Sequence, residues 1–280
     1  MMQCRLCGGL QGRVLYEFSR PIFKCESCGV VQVDQSEGVD HYTESYYRGG
    51  VYADYLRDRA AIHRNALQIL SKLECLVQGR TLLDVGCAAG FFLEAARTRG
   101  WTVRGLEVSE YASNYARQEL GLAIDTGSIT SPPSELPRFD VVTLWDTIEH
   151  LDRPDLALSN IHDLLDPGGV LVLSTGDYGS LLRRLAGKKW RLFADPTHKF
   201  FFDENTLGRV LTQQGFQIFR VDRIGKWVSL LMILHQSGLS LAHSVRDWLG
   251  KTRWNPSLYV NLWDVMTVFA KPMAEIGMSR

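Results

Sequence analysis

The chain has 280 residues, 45% hydrophobic and 22% charged, a balance that excludes a mainly disordered or collagen-like protein. Its length suits one domain of about 200–250 residues with a small appendage. Thirty-one basic residues face thirty-one acidic ones, which leaves room for a local basic patch but argues against a whole-surface polyanion binder. The opening residues lack an apolar signal region, and no stretch is apolar enough to span a bilayer, so a cytoplasmic chain with reduced cysteines is expected.

Cys4-Arg-Leu-Cys7 and Cys25-Glu-Ser-Cys28 are two C-x-x-C pairs, each followed by Gly. Each pair presents two sulfurs from one tight knuckle, and two knuckles complete the tetrahedral thiolate set that zinc takes. Gly12–Phe18 and Val30–Asp34 alternate like short strands, so residues 1–40 are expected to form a zinc ribbon with a structural Zn2+ on Cys4, Cys7, Cys25 and Cys28. So short a module buries too little apolar surface to fold unaided, and the metal should hold it. Its four basic and five acidic side chains argue against nucleic acid as a partner. Cys75 and Cys87 read as ordinary buried thiols.

Residues 41–76 read as a helical connector. Tyrosines stand at 42, 46, 47, 52 and 55, and Leu56–Leu73 has helical spacing with Arg57, Arg59 and Arg64 on its polar side. Either this is an amphipathic helix packed on the next domain, or its Tyr and Arg side chains form a lid over a ligand.

The third region spans residues 77–280. Thr81–Ala96 is an apolar strand, a glycine turn and a helix; Gly86 and Gly90 are expected to let the backbone approach a ligand near the helix N-terminus. Trp101–Glu107 reads as a second strand ending in an acid about twenty residues beyond the glycines, where a doubly wound sheet places the carboxylate that binds ribose hydroxyls. Ser109 N-caps a helix over Glu110–Leu120. Phe139–Trp145 is a buried strand, Asp155–Leu165 a helix stopped by Asp166-Pro-Gly-Gly169, and Val170–Thr175 another buried strand. Alternating βα units predict an α/β fold with a doubly wound, mostly parallel sheet and a ligand at the carboxyl ends of the strands.

Asp146, Glu149 and His150 follow the Phe139–Trp145 strand at i, i+3 and i+4, a spacing that puts them on one face of a helical turn. His150 is a candidate general base oriented by a carboxylate. The trio is also a candidate site for a divalent cation, or a support for the cofactor loop that touches no substrate. His198, among Phe200, Phe201 and Phe202, is a second catalytic candidate or a packed core histidine.

Residues 226–260 read as an insertion. Trp227–Ala242 is strongly apolar, with Leu230, Leu234, Leu241, Val245 and Trp248 at near-heptad spacing. It carries four basic residues against Asp247, and Arg183, Arg184, Lys188, Lys189, Arg191 and Lys199 add to the positive charge. Such a segment could rest peripherally on a membrane or cover a lipid-linked, phosphate-bearing acceptor. The plainer readings are a helical cap over the substrate pocket and a dimer contact.

LLDVGCAAG, GLEVS, FDVVTLWDTIEHLDRP and LLDPGGVLVLST together resemble the successive motifs of class I S-adenosylmethionine-dependent methyltransferases, in the subgroup of the ubiquinone-biosynthesis O-methyltransferases. The likeness extends over Lys188–Trp190, Pro196–Phe202 and Thr206–Phe216, with Leu262–Lys271 similar to a final antiparallel strand; some relatives also carry an N-terminal zinc ribbon. The resemblance implies a seven-stranded sheet and S-adenosyl-L-methionine as cofactor. By it, Asp84, Gly86 and Gly90 shape the methionine side, Glu107 holds the ribose, and Val108 and Ile129 sandwich adenine with Ser128 at its edge. Cys87 and Trp145 complete the cofactor-binding set, and His198 falls near the acceptor. Ala89 stands where Gly is common, and Thr175-Gly-Asp177 replaces Thr-Pro-Asn at the substrate mouth. The expected reaction is methyl transfer to a hydroxyl of a small-molecule, sugar or lipid-linked glycan intermediate. The alternatives are rRNA base methylation with the ribbon on RNA and C-methylation of a nucleotide sugar.

Overall fold

A computed structural model describes residues 3–34, 44–47, 55–237 and 255–273. The first strands, β1 (Gly12–Tyr16), β2 (Ile22–Cys25) and β3 (Val31–Val33), form an antiparallel meander. Two knuckles of the same geometry flank it. Cys4 N–H donates to Gly9 O at 2.8 Å and Gly8 N–H to Cys4 O at 2.8 Å, and Cys25 N–H donates to Val30 O at 3.0 Å and Gly29 N–H to Cys25 O at 2.9 Å. This is the sequence-predicted ribbon.

A short 3-10 turn, Tyr55–Asp58, leads into α1 (Arg59–Leu76). Ala66, Ile69, Leu70 and Leu73 line its buried face at helical spacing. The helix packs on α2 (Phe91–Thr98), where Glu94 accepts a 2.8 Å bond from Arg59 Nε and lies 2.8 Å from His63 Nε2. Of the connector's tyrosines, 42 and 52 lie outside the described residues.

Around these helices run β4 (Thr81–Val85), β5 (Thr102–Glu107), α3 (Glu110–Leu120), β6 (Ile124–Thr126), β7 (Phe139–Trp145), α4 (Pro154–Leu164) and β8 (Leu165–Gly176). Next come α5 (Leu181–Ala186), β9 (Phe200–Phe201), α6 (Glu204–Gln213), β10 (Phe216–Asp222), β11 (Lys226–Ser229), α7 (Leu230–Ser237), β12 (Ser257–Val260) and β13 (Val265–Pro272). Seven strands build the main sheet in the order β10-β13-β8-β7-β4-β5-β6. β8, β7, β4, β5 and β6 run parallel, while β13 is antiparallel to both its neighbours. β7 and β8 are buried on both faces, which is why Val141–Leu144 and Val170–Leu173 read as apolar runs broken only by Thr143.

The ribbon does not stand apart from this sheet. β9 pairs antiparallel with β3, with Val31 opposite Phe201 and Gln32 opposite Phe200, so a fourth strand closes the ribbon's own sheet. Cys4, Cys25 and Val30 share an apolar cluster with Phe200, Phe202 and Leu207. Ile22, Val31 and Val33 share another with Trp190, Phe193 and Phe201. Apolar packing against the main domain therefore helps to hold the module.

In the insertion the near-heptad apolar run does not begin as a helix. Trp227 lies in β11, paired with β12, and among the described residues of the insertion the helix is Leu230–Ser237; Leu241, Val245 and Trp248 lie outside the described residues. Asn65 of α1 clasps the main chain of Trp227: its Nδ2 donates to Trp227 O at 2.9 Å, and its Oδ1 accepts from Trp227 N–H at 2.7 Å. Arg64 lies over the Trp227 ring, 5.0 Å from its centroid. No described helix is long and apolar enough to cross a membrane.

Candidate active site

At the carboxyl end of β4 the fully buried Asp84 accepts a 2.6 Å bond from Thr143 Oγ1 of β7. Burial pushes its carboxyl up to about 8, outweighing the hydroxyl's opposing effect. The following turn holds left-handed conformations at Gly86, Ala88 and Gly90. A Cβ on Gly86 would lie 2.6 Å from Thr147 Oγ1, and one on Gly90 would lie 2.6 Å from Leu122 Cδ1. The glycines are thus required by the protein's own packing, a different reason from the ligand approach that the sequence suggests. Cys87 is buried at the same turn, against β5.

Glu107 ends β5 almost fully buried. Its Oε2 accepts from Ala88 N–H and its Oε1 from Ser109 N–H, both at 2.8 Å. These bonds span the glycine turn and the N-terminus of α3, where the Ser109 hydroxyl caps Ala112 N–H as expected. A carboxylate oxygen accepts about two hydrogen bonds, so each retains capacity for a ligand hydroxyl. Burial nevertheless raises the Glu107 pKa. Val108 is half exposed, whereas Ile129 is buried in the core cluster with Leu106 and Ile148. Ser128 Oγ pairs with Thr130 Oγ1 at 2.8 Å. Trp145 packs on Phe92, with ring centroids 5.0 Å apart.

Beyond β7 the chain departs from a helical turn. Asp146 adopts φ 48°, and its carboxylate takes a 2.7 Å bond from Ser174 Oγ and an ion pair from Lys226. Glu149 and His150 follow on the single 3-10 turn Ile148–His150. Asp146 is therefore set apart, and His198 joins Glu149 and His150 in its place: ligand atoms of these three lie within 4.8 Å of one another. Glu149, His150 and His198 are a group able to hold a metal here, while Asp146 of the expected cation trio is engaged by Ser174 and Lys226. The positive φ at Asp146 rotates its side chain off the face that an α-turn would share.

The two histidine rings meet edge to face, with centroids 4.8 Å apart. Burial, followed by the second histidine, holds the His150 pKa down at about 4. His198 is buried too, and its pKa is also lowered. Its Nδ1 lies 2.9 Å from Leu192 O, a contact satisfied when Nδ1 carries the proton, which leaves Nε2 as an acceptor 3.7 Å from Asp195 Oδ2. Burial, and then Asp146, pushes Glu149 up to about 8.

Two connector tyrosines reach this cleft. Tyr47 is buried against Tyr55 and Tyr111, with centroids 5.6 and 6.0 Å away, and its hydroxyl bonds to Ser109. Tyr46 bonds to Thr197. One ring thus stands at the Glu107 end and its neighbour beside the His198 segment. The tyrosine run was visible in sequence; which members face the cleft was not. Thr143, Thr147 and Lys226 also escaped the sequence reading, since Lys226 meets Asp146 only through tertiary structure, 80 residues away.

At the ribbon, Cys4 and Cys28 Sγ lie 3.6 Å apart, as do those of Cys7 and Cys25, and all four sulfurs lie within 4.8 Å of one another. Four thiolates about 2.3 Å from one tetrahedral ion would stand about 3.8 Å apart, so the arrangement fits zinc. No disulfide joins them.

The methyltransferase domain model matches residues 53–221. The chain belongs to the methyltransferase domain family. This methyltransferase-domain chain is 38% identical over 152 residues to the ubiquinone biosynthesis O-methyltransferase of Pseudomonas aeruginosa, an overlap covering 50% of the chain and 66% of that protein. A second protein of that name, from Pseudomonas paraeruginosa, is 40% identical over 35% of the chain and 44% of its own length. The chain thus spans between 44% and 66% of these relatives. Its fold is similar to a chain of the Haloferax volcanii complex between the Trm112 methyltransferase activator and a methyltransferase (TM-score 0.61, 15% identity, 85% of this chain and 100% of that one). Together with the sheet order, the likeness establishes the class I methyltransferase fold.

Proposed function

We propose that the chain transfers a methyl group from S-adenosyl-L-methionine to a hydroxyl of a small-molecule, sugar or lipid-linked glycan intermediate. The observation that carries this reading is Glu107: a buried carboxylate held by main-chain N–H groups on two sides, at the strand end beside the glycine turn. Such an acid suits a ribose. Asp84, Gly86, Cys87 and Gly90 would frame the methionine end, Val108, Ser128 and Ile129 the adenine, and Trp145 the mouth. When bound, the cofactor supplies a methyl group activated on a sulfonium.

The remaining work belongs to the acceptor side. His150 is neutral at pH 7 because its pKa is held at about 4, so it can take the hydroxyl proton, with Glu149 and His198 beside it. General-base help of this kind contributes roughly 10²–10⁴-fold. Tyr46 and Tyr47 form the lid, excluding water and fixing the reactants, an orientation effect of about 7–11 kcal/mol in favourable cases. The hydroxyl acceptor is supported by the names of the curated relatives, both O-methyltransferases. Cys4, Cys7, Cys25 and Cys28 hold a structural zinc ion. Methyl transfer from labelled cofactor into a panel of phenols and sugar nucleotides tests the reading, with label expected on oxygen. Failure to bind S-adenosylhomocysteine would sink it.

A further inference from the structure

The ribbon's third strand is tied to the acceptor-side histidines through the main chain. Val33 N–H donates to Lys199 O at 2.9 Å, and Lys199 N–H donates to Glu149 O at 2.9 Å. Two main-chain hydrogen bonds therefore connect the ribbon to the turn that carries His150, and the residue before Lys199 is His198. The ladder continues as Gln32 opposite Phe200 and Val31 opposite Phe201. Asp152, two residues past His150, makes a second tie. It pairs with Arg5, the neighbour of Cys4, at 3.0 Å and with Lys199 Nζ at 2.8 Å. Asp152 is largely exposed, so those pairs contribute little alone. The strand ladder and the apolar contacts of Cys4, Cys25 and Val30 with Phe200 and Phe202 carry the coupling.

β9 has two residues and, among the described strands, pairs only with β3. A strand so short has no stability of its own. Its partner β3 is itself three residues long and ends a module too small to order itself without its cross-link. Hence the order of the 198–201 segment depends on the ribbon.

We propose that the N-terminal ribbon is a positioning element for the methyl-transfer site: β3, ordered by the zinc-bound knuckles, holds the Lys199–Phe201 segment so that His198 stays against His150. This rests on reading the four cysteines as a zinc site. His198 and the segment that follows it then act on the acceptor half of the cleft, because the cofactor half is built from β4, β5, β6 and the turns after them.

The test uses the full chain. Val33→Pro removes the single N–H that donates to Lys199 O and leaves all four cysteines in place. Zinc content, S-adenosylhomocysteine affinity by calorimetry and the imidazole NMR correlations, assigned with His150→Gln and His198→Gln, are measured on each protein. The expected result is loss of the ring-to-ring NOE between His150 and His198, with zinc and S-adenosylhomocysteine affinity unchanged. A zinc-loaded Val33→Pro protein that keeps that NOE overturns the proposal. Should Val33→Pro fail to fold, zinc is withdrawn from the wild-type chain with a chelator and then restored: the NOE should vanish and return, and an NOE that persists without metal overturns the coupling. Wild-type protein isolated without zinc defeats the metal reading separately, and the Val33→Pro arm still decides whether the strand positions His198.

Discussion

His150 and His198 pack edge to face with their centroids 4.8 Å apart, although 47 residues separate them in the chain. Both are buried and both have lowered pKa values, so each is a neutral ring at pH 7, able to accept a proton. His150→Gln should lower turnover about 100-fold, within the range for loss of a general base, and leave S-adenosylhomocysteine affinity alone. Steady-state rates on an acceptor found in the labelled-methyl screen check this. Undiminished turnover would remove His150 from the chemistry.

Glu107 makes a separate prediction. Glu107→Ala leaves the Ala88 and Ser109 N–H groups without their 2.8 Å acceptor, at a cost of about 1–3 kcal/mol for each that stays buried and unpaired. Calorimetry with S-adenosylhomocysteine should show affinity falling by at least about tenfold, equivalent to about 1.4 kcal/mol, alongside a lower melting temperature. Wild-type affinity in a folded Glu107→Ala protein would refute the ribose assignment.

Stability should depend on pH in a definite direction. Asp84 titrates at about 8 when folded and near 3.8 when unfolded, so the folded chain binds more protons between these values and stability falls as pH rises through that window. Glu149, at about 8, acts in the same sense. His150 acts in the opposite sense: its pKa falls from 6.5 to about 4, and its contribution is lost as pH drops through that range. Above pH 6.5 the His150 contribution is complete, and Asp84→Asn should flatten part of the decline in melting temperature between pH 6.5 and 8. An equally steep decline in the variant would show that Asp84 is not held neutral.

The ribbon predicts metal dependence. Cys25→Ser removes one of the four sulfurs, and elemental analysis should find the zinc gone. Because Cys25 lies in the same cluster as Phe200 and Leu207, thermal denaturation should also register a loss. A chain that retains its melting temperature in chelator would contradict both the zinc assignment and its structural role.

Features encoded by neighbouring residues were legible in the sequence. The capped helix Glu110–Leu120 and the strand Phe139–Trp145 have the bounds expected from their cap and their apolar run. The paired C-x-x-C-G knuckles also form as read. What escaped depended on partners distant in the chain or on backbone angles without a residue signature. The spacing of Asp146, Glu149 and His150 implies one shared face, but a positive φ at a residue other than glycine breaks it. Phe200 and Phe201 went unassigned because nothing nearby in the sequence marks them as an edge strand for β3. Trp227 opens an apolar run that periodicity alone cannot divide between strand and helix; its β12 partner lies some thirty residues on.

The clasp between Asn65 and Trp227 has a consequence for solubility. A side-chain amide that both donates to and accepts from one strand residue imitates an adjoining strand, and so blunts the outer border of the β11–β12 pair against recruitment of another polypeptide. Asn65→Ala removes that guard, and a chain shortened to start at β4 loses the whole helix that carries it. Both should self-associate through this strand pair at concentrations where the parent stays dispersed.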